Sequence, residues 1–227
     1  MSGIENRQQG LLRLITGILF FGSLWGLSEV ALGGGLRAAS FPYRAGLLTA
    51  IGMAIMGIAL ANFRKPLMLV GIGSVAMLVN LLAVPLLHVS VACKANSCIA
   101  VGLESASLGL VAVLLMAKAG GSVYARMGSG AFAAVMASAA FYFVGTHVAP
   151  CNYLLSFTSP GTFVVQEGLV WAAFSAVLFP LGYLAGERLA VKPLPALAGR
   201  GLAYYATAAG AVILCLGFSA LAIVSGL

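Results

Sequence analysis

The chain contains no aspartate, only five acidic residues in all, and 7% charged side chains over 227 residues. A soluble globular domain carries roughly 25% charged residues to keep its surface in water. The shortfall runs the whole length, so no segment has the composition of a separate soluble domain, and residues 1–227 read as a single transmembrane domain. No Gly-x-x-x-x-Gly-Lys-Ser/Thr loop occurs. Nucleotide binding by that device is therefore excluded, and any pumping must draw on a gradient or on partner subunits. The four cysteines, Cys93, Cys98, Cys151 and Cys215, contain no Cys-x-x-Cys pair, which removes the usual metal knuckle. The polar/apolar alternation of a membrane β-barrel is missing too.

What is present is apolar sequence, 62% hydrophobic with a mean hydropathy of +1.08. In hydrocarbon every backbone polar group must be satisfied within the protein, so long apolar runs are read as helices. They fall at Leu11–Leu32, Gly46–Phe63, Pro66–Leu87, Ile99–Ala119, Gly130–Val148, Phe163–Ala185 and Leu202–Val224. Each is about 18 to 24 residues, enough to cross a bilayer at about 1.5 Å per residue. The expected fold class is therefore all-α, a polytopic transmembrane helix bundle of about seven spans, or six if the last does not cross. Arg7 and Arg13 precede a first run of about 20 residues, longer than the apolar core of a cleaved signal, so that run is read as a retained span. Breaks between runs are expected at Gly33-Gly34-Gly35 and Pro42, at Gly120-Gly121, at Pro150 and Pro160-Gly161, and at Pro193 and Pro195.

The net charge of +7 could suit nucleic acid, but the basic residues lie in short segments between apolar runs and form no dense patch, so nucleic acid is not an expected partner. Threaded through seven spans, one side collects Arg7, Arg13, Arg64, Lys65, Lys118, Arg126, Arg188, Lys192 and Arg200, and the other only Arg37, Arg44 and Lys94. Basic residues are retained in the cytoplasm, which puts the N-terminus inside and the chain in the cell (inner) membrane as a multi-pass protein, with the lipid bilayer as its first partner. Small residues four apart, Gly22 and Gly26, Ala133 and Ala137, Ala206 and Gly210, read as close helix packing within the chain.

The same threading sorts the chemistry. Glu29, Glu104 and Glu167 lie inside apolar runs, all toward the outer side and about 5 to 8 Å below the interface by helix rise. A carboxylate facing lipid at that depth is costly, so each should face the bundle or a cavity, and three at one level suggest a shared polar pocket. Separate local partners, such as Trp25 and Ser28 for Glu29, are the structural alternative. Asn80, Gln166, Arg37 and Arg44 fall on the same side and complete a candidate substrate-binding set.

His88, His147, Cys93, Cys98 and Cys151 also fall outward and form a candidate set for a transition metal ion, although Pro150 interrupts the helix between His147 and Cys151. Cys93 and Cys98, expected in a loop, could instead form a disulfide, as a static staple more readily than as a redox pair. A Ser129–His147 catalytic dyad fails because the two lie about 27 Å apart along one helix. No catalytic set remains, and the reading is of a membrane transport or solute-capture subunit holding a small metabolite, cationic ones among the candidates, or a metal ion in an outward-facing pocket. The alternatives are a membrane redox or metal-binding subunit using outer Cys and His residues, or an anchor subunit of a larger membrane complex.

The small size, the basic and apolar composition, the outward cluster, and the Trp25-Gly26-Leu27-Ser28-Glu29 helix end followed by Gly33-Gly34-Gly35 resemble the substrate-binding S components of energy-coupling-factor transporters. The resemblance covers the whole chain in hydropathy. It implies about six helices, an outward pocket covered by loops, no ATPase within the chain, and partnership with a transmembrane coupling subunit served by ATPases. A seventh span departs from that pattern, and no ligand residue carries over.

Overall fold

The computed structural model describes residues 2–116, 122–191 and 201–226. Helix α1 spans Ser2–Ala38, α2 Arg44–Phe63, α3 Met68–Leu81 and the short α4 Ala83–Leu87. Helix α5, Ala92–Val111, runs on through a π-helical turn at Ala112–Met116, and α6 covers Val123–Val148. Two short helices follow, α7 at Asn152–Leu155 and α8 at Pro160–Phe163, then a second π turn at Val164–Gly168 leading into α9, Leu169–Val191. Helix α10 is Gly201–Val224. No strand occurs among the described residues. Seven helical stretches are long and apolar enough to span a bilayer, so the chain is a multi-pass, all-α membrane protein.

Six of the seven close into a ring. Helix α1 packs on α3, α3 on α5, α5 on α6, α6 on α9, α9 on α2, and α2 returns to α1. The seventh, α10, lies outside the ring against α1 and α4 and is the least buried of the spans. The question of six spans or seven thus resolves into a six-helix ring with one attached helix.

Glycines set the closest approaches. A Cβ on Gly22 or Gly26 of α1 would run into Val75 or Val79 of α3, and one on Gly182 or Gly186 of α9 into the α2 backbone at Ala54 and Ile58. Small residues let apolar helices approach where lipid offers no hydrophobic drive to associate. Ala133 and Ala137 are fully buried, as expected. The third pair behaves differently: Gly210 meets nothing within 4 Å and Ala206 is exposed, so that face of α10 is not packed within the chain.

Around the middle of the ring Met53, Met56, Leu69, Ile72, Leu108 and Phe179 are fully buried and fill it. Toward the end where α6 begins, Arg126 is clamped to Glu187 of α9 by two parallel hydrogen bonds of 3.0 and 2.8 Å, with its guanidinium 4.1 Å above the Tyr183 ring. This bidentate fork and stacked cation tie α6 to α9.

Two expected breaks are helix instead. Gly33-Gly34-Gly35 does not end the first helix, which continues to Ala38. An intact helix keeps the backbone hydrogen bonds internal near the membrane face, which outweighs the poor propensity of glycine. Cys93 and Cys98 lie not in a loop but on α5. The expected breaks at Gly120-Gly121, Pro193 and Pro195, and the basic residues Lys118, Lys192 and Arg200, lie outside the described residues.

Candidate functional site

The ring is open at the end where α1 finishes and α2, α5 and α9 start. A cavity of about 470 Å³ lies there, lined by α1, α2, α5 and α9, the ends of α3, α4 and α10, and Phe141 and Tyr153 from α6 and α7. Its volume is that of a site for a small organic molecule.

Helix α1 contributes Glu29, Gly33, Gly34 and Arg37 to the wall. Glu29, Gly33 and Arg37 recur at four residues and Gly34 lies three before Arg37, which keeps them on one face. The two glycines add no side chain there, and the uninterrupted helix carries the wall past them to Arg37. Trp25, one turn below Glu29 and fully buried, donates its indole N–H to Glu29 Oε1 at 3.1 Å. The indole fits only because α2 presents Gly52, where a Cβ would lie 2.5 Å from Trp25 Nε1.

Glu104, only 3% exposed, reaches the cavity from α5. The Thr49 hydroxyl on α2 donates to its Oε1 at 2.9 Å, while Oε2 is buried with no protein partner. Two more lining residues share that condition: Asn96 Oδ1 on α5 and the indole Nε1 of Trp171 on α9. Buried polar atoms are paired in more than about nine cases in ten, so three unpaired around one cavity, two acceptors and one donor, mark a surface built to exchange hydrogen bonds with a guest. Asn80, 3% exposed, adds an amide to the wall, its Nδ2 donating weakly to Ala76 O at 3.4 Å.

An aromatic cluster sets Trp171 in place. Its ring lies 5.9 Å from Phe141 and 6.3 Å from Phe163, and Phe163 in turn meets Tyr142, Tyr153 and Phe157. The α7–α8 segment is fastened by Tyr142 Oη donating to Phe157 O at 3.0 Å, by Leu154 packed on Gly145, and by the Ser159–Thr162 capping box that starts α8. Tyr153 stands at the cavity edge, and its phenol ionises well above the ordinary tyrosine range. Burial is the main cause, followed by its hydrogen bond to Glu167 and the charge of that carboxylate; Arg44 opposes them.

Of the residues expected to bind substrate, Glu29, Glu104, Asn80, Arg37 and Arg44 line the cavity together. Glu167 and Gln166 do not. Both sit in the π turn, whose extra residue shifts the helix register by about 100°. Gln166 is exposed, and Glu167 acts one step removed, through Tyr153. Lys94, Asn96, Thr49, Tyr153 and Trp171 belong to the site and were not singled out as ligands. Thr49 and Trp171 give no signal in an apolar run, but Lys94 and Asn96 stand two residues apart before the fourth run on the side already marked as polar.

The expected metal set does not assemble. No group of three or more His, Cys, Asp or Glu that could hold a metal ion occurs among the described residues. His88 is exposed at the αL end of α4, and His147 is exposed on α6, bonded through Nδ1 to Phe143 O at 2.7 Å and lying against the Phe143 ring. Cys98 and Cys151 are free thiols, the first weakly bonded to Met77 O. The expected Cys93–Cys98 disulfide is not formed: five residues apart on one helix, the two positions point about 140° apart around its axis. The Cys93 side chain itself lies outside the described residues.

No protein-family model matches the chain, and neither a curated protein nor a solved structure matches it.

Proposed function

We propose that this chain is a solute-capture or transport subunit of the inner membrane that binds a small polar metabolite in the cavity, with the N-terminus cytoplasmic and the cavity facing outward. The observation that carries the reading is the buried Glu104, one oxygen held by Thr49 and the other unpaired beside the unpaired Asn96 and Trp171 atoms. A carboxylate so placed in a membrane protein suits a cationic or hydrogen-donating group on the guest.

The filled middle of the ring supports capture rather than an open channel. The six-helix ring also accords with the resemblance to S components. In that reading a coupling subunit with its ATPases supplies the movement, and α10 is an addition outside the ring.

The test is native mass spectrometry of the gently purified chain after incubation with a cell metabolite extract. The wild-type chain should retain a small organic solute, and Glu104→Gln, with an unchanged melting temperature, should lose it. Equal retention by both, or by neither, would overturn the reading.

A further inference from the structure

Charge in the cavity is sorted by depth. Glu104 and Glu29 lie toward the floor, each with one oxygen already accepting a hydrogen bond from inside the protein. Arg37, Arg44 and Lys94 stand at the mouth and form no ion pair among the described residues. Lys94 and Glu104 are ten residues apart on α5, about 15 Å of rise, and Glu29 and Arg37 eight apart on α1, about 12 Å. Helices α2 and α5 both start at the mouth, so their unpaired N–H groups add to the positive potential there.

Between the two levels the wall is mixed: Phe141, Val101, Ala100 and Leu48 supply its apolar part, Asn96 and Ser97 line it from α5, and Trp171 contributes an indole N–H that has no protein acceptor. Opposite charges held apart around a low-dielectric cavity forgo their mutual attraction, and a guest with matching charges at its two ends would recover it.

On the solute-capture reading above, we infer that the ligand is an elongated zwitterion. Its cationic end lies against Glu104 and Glu29, its anionic end meets Arg37, Arg44 and Lys94, and a largely apolar stretch with one acceptor passes Trp171. A metabolite whose two charges sit on neighbouring atoms is too short to reach both levels. A simple cation leaves the mouth unused, and a simple anion leaves Glu104 unpaired.

Four small probes separate these cases: ε-aminocaproate, hexylamine, caproate and free glycine, each titrated against the full chain in lipid nanodiscs. Trp25 and Trp171 are the only tryptophans, so indole fluorescence reports directly on the site, with melting temperature as a second reading. ε-Aminocaproate should bind about tenfold or more tightly than hexylamine or caproate, and free glycine should be silent. Glu104→Gln should reduce ε-aminocaproate to the level of caproate, and the double variant Arg37→Gln, Arg44→Gln to that of hexylamine.

Hexylamine equal to ε-aminocaproate would overturn the zwitterion and leave a cation-capturing cavity standing; caproate equal to it would make this an anion site. Binding of free glycine as tight, or silence from all four probes, would overturn the elongated class. The capture reading falls separately, in the extract experiment.

Discussion

Thr49 donates its hydroxyl to Glu104 Oε1 across the α2–α5 interface at 2.9 Å, while the second carboxylate oxygen has no protein partner. The threonine thus holds the carboxylate in one orientation and leaves the other oxygen buried and unpaired beside the cavity.

Thr49→Val keeps the shape and removes the donor. The chain should still fold, and affinity for a cavity ligand should fall about tenfold, as for the loss of one hydrogen bond to a charged group, ~1.5 kcal/mol. Isothermal titration with the retained solute measures it. An affinity unchanged from wild type would mean that Glu104 is oriented by packing alone.

Two glycine substitutions should move in opposite directions. Gly52→Ala places a methyl 2.5 Å from the Trp25 indole, so Trp25 must shift and its bond to Glu29 must break. A loss of about 1 to 3 kcal/mol is expected from such overpacking, with a change in tryptophan emission. Gly35→Ala meets nothing within 4 Å and lies in a helix, so it should stabilise by about 0.5 to 1 kcal/mol. Thermal unfolding in detergent compares the two directly, and destabilisation by Gly35→Ala would contradict a helix through the triple glycine.

Arg126→Lys preserves the charge but not the fork to Glu187 or the flat stacking on Tyr183. Stability should drop by about 1 to 3 kcal/mol, moderated by the partial exposure of Glu187, while ligand affinity at the opposite end stays the same. A matched fall in affinity would show that the two ends are coupled.

Tyr153 should remain a phenol well past the pH at which an exposed tyrosine ionises. Glu167→Gln removes the neighbouring negative charge and leaves only a neutral, weaker acceptor for the phenol, so its ionisation should move to lower pH. Arg44→Gln removes the opposing cation and should move it higher. Carbon-13 tyrosine NMR, with Tyr153→Phe identifying the resonance, follows both. Because the folded state disfavours the phenolate, this residue's stabilising contribution is complete below the unfolded tyrosine pKa and declines as pH rises above it.

Most of the fold was legible in the sequence because the bilayer makes length and hydropathy decisive. Leu202–Val224 was read at the bounds of the last span, and the others within a few residues except where the first span runs on to Ala38 and the fourth and fifth begin earlier, at Lys94 and Val123. The depth of Glu29 and Glu104 could likewise be counted along a helix. Rotation about the helix axis could not, because uniformly apolar spans carry little amphipathic pattern to show which face turns inward.

Glu167 and Trp171 illustrate this. They are four residues apart, yet a π turn before Trp171 leaves the acid out of the cavity wall and places the indole in it. His88 and His147 were read at the same end of the bundle as the cavity residues, where the structure has them, but both are exposed and nothing brings them together. The attachment of α10 outside the ring was hidden for the same reason: its hydropathy is as high as that of any ring helix.

The packed middle of the ring and the Arg126–Glu187 clamp bear on what this protein could do alone. A compartment with a single door reaches equilibrium only with the side on which the door opens. Reconstituted into sealed vesicles, the chain should take up ligand in proportion to its own amount, saturate, and never discharge a concentration gradient. On the capture reading, net movement across the bilayer would require the Arg126–Glu187 end, between α6 and α9, to open as well.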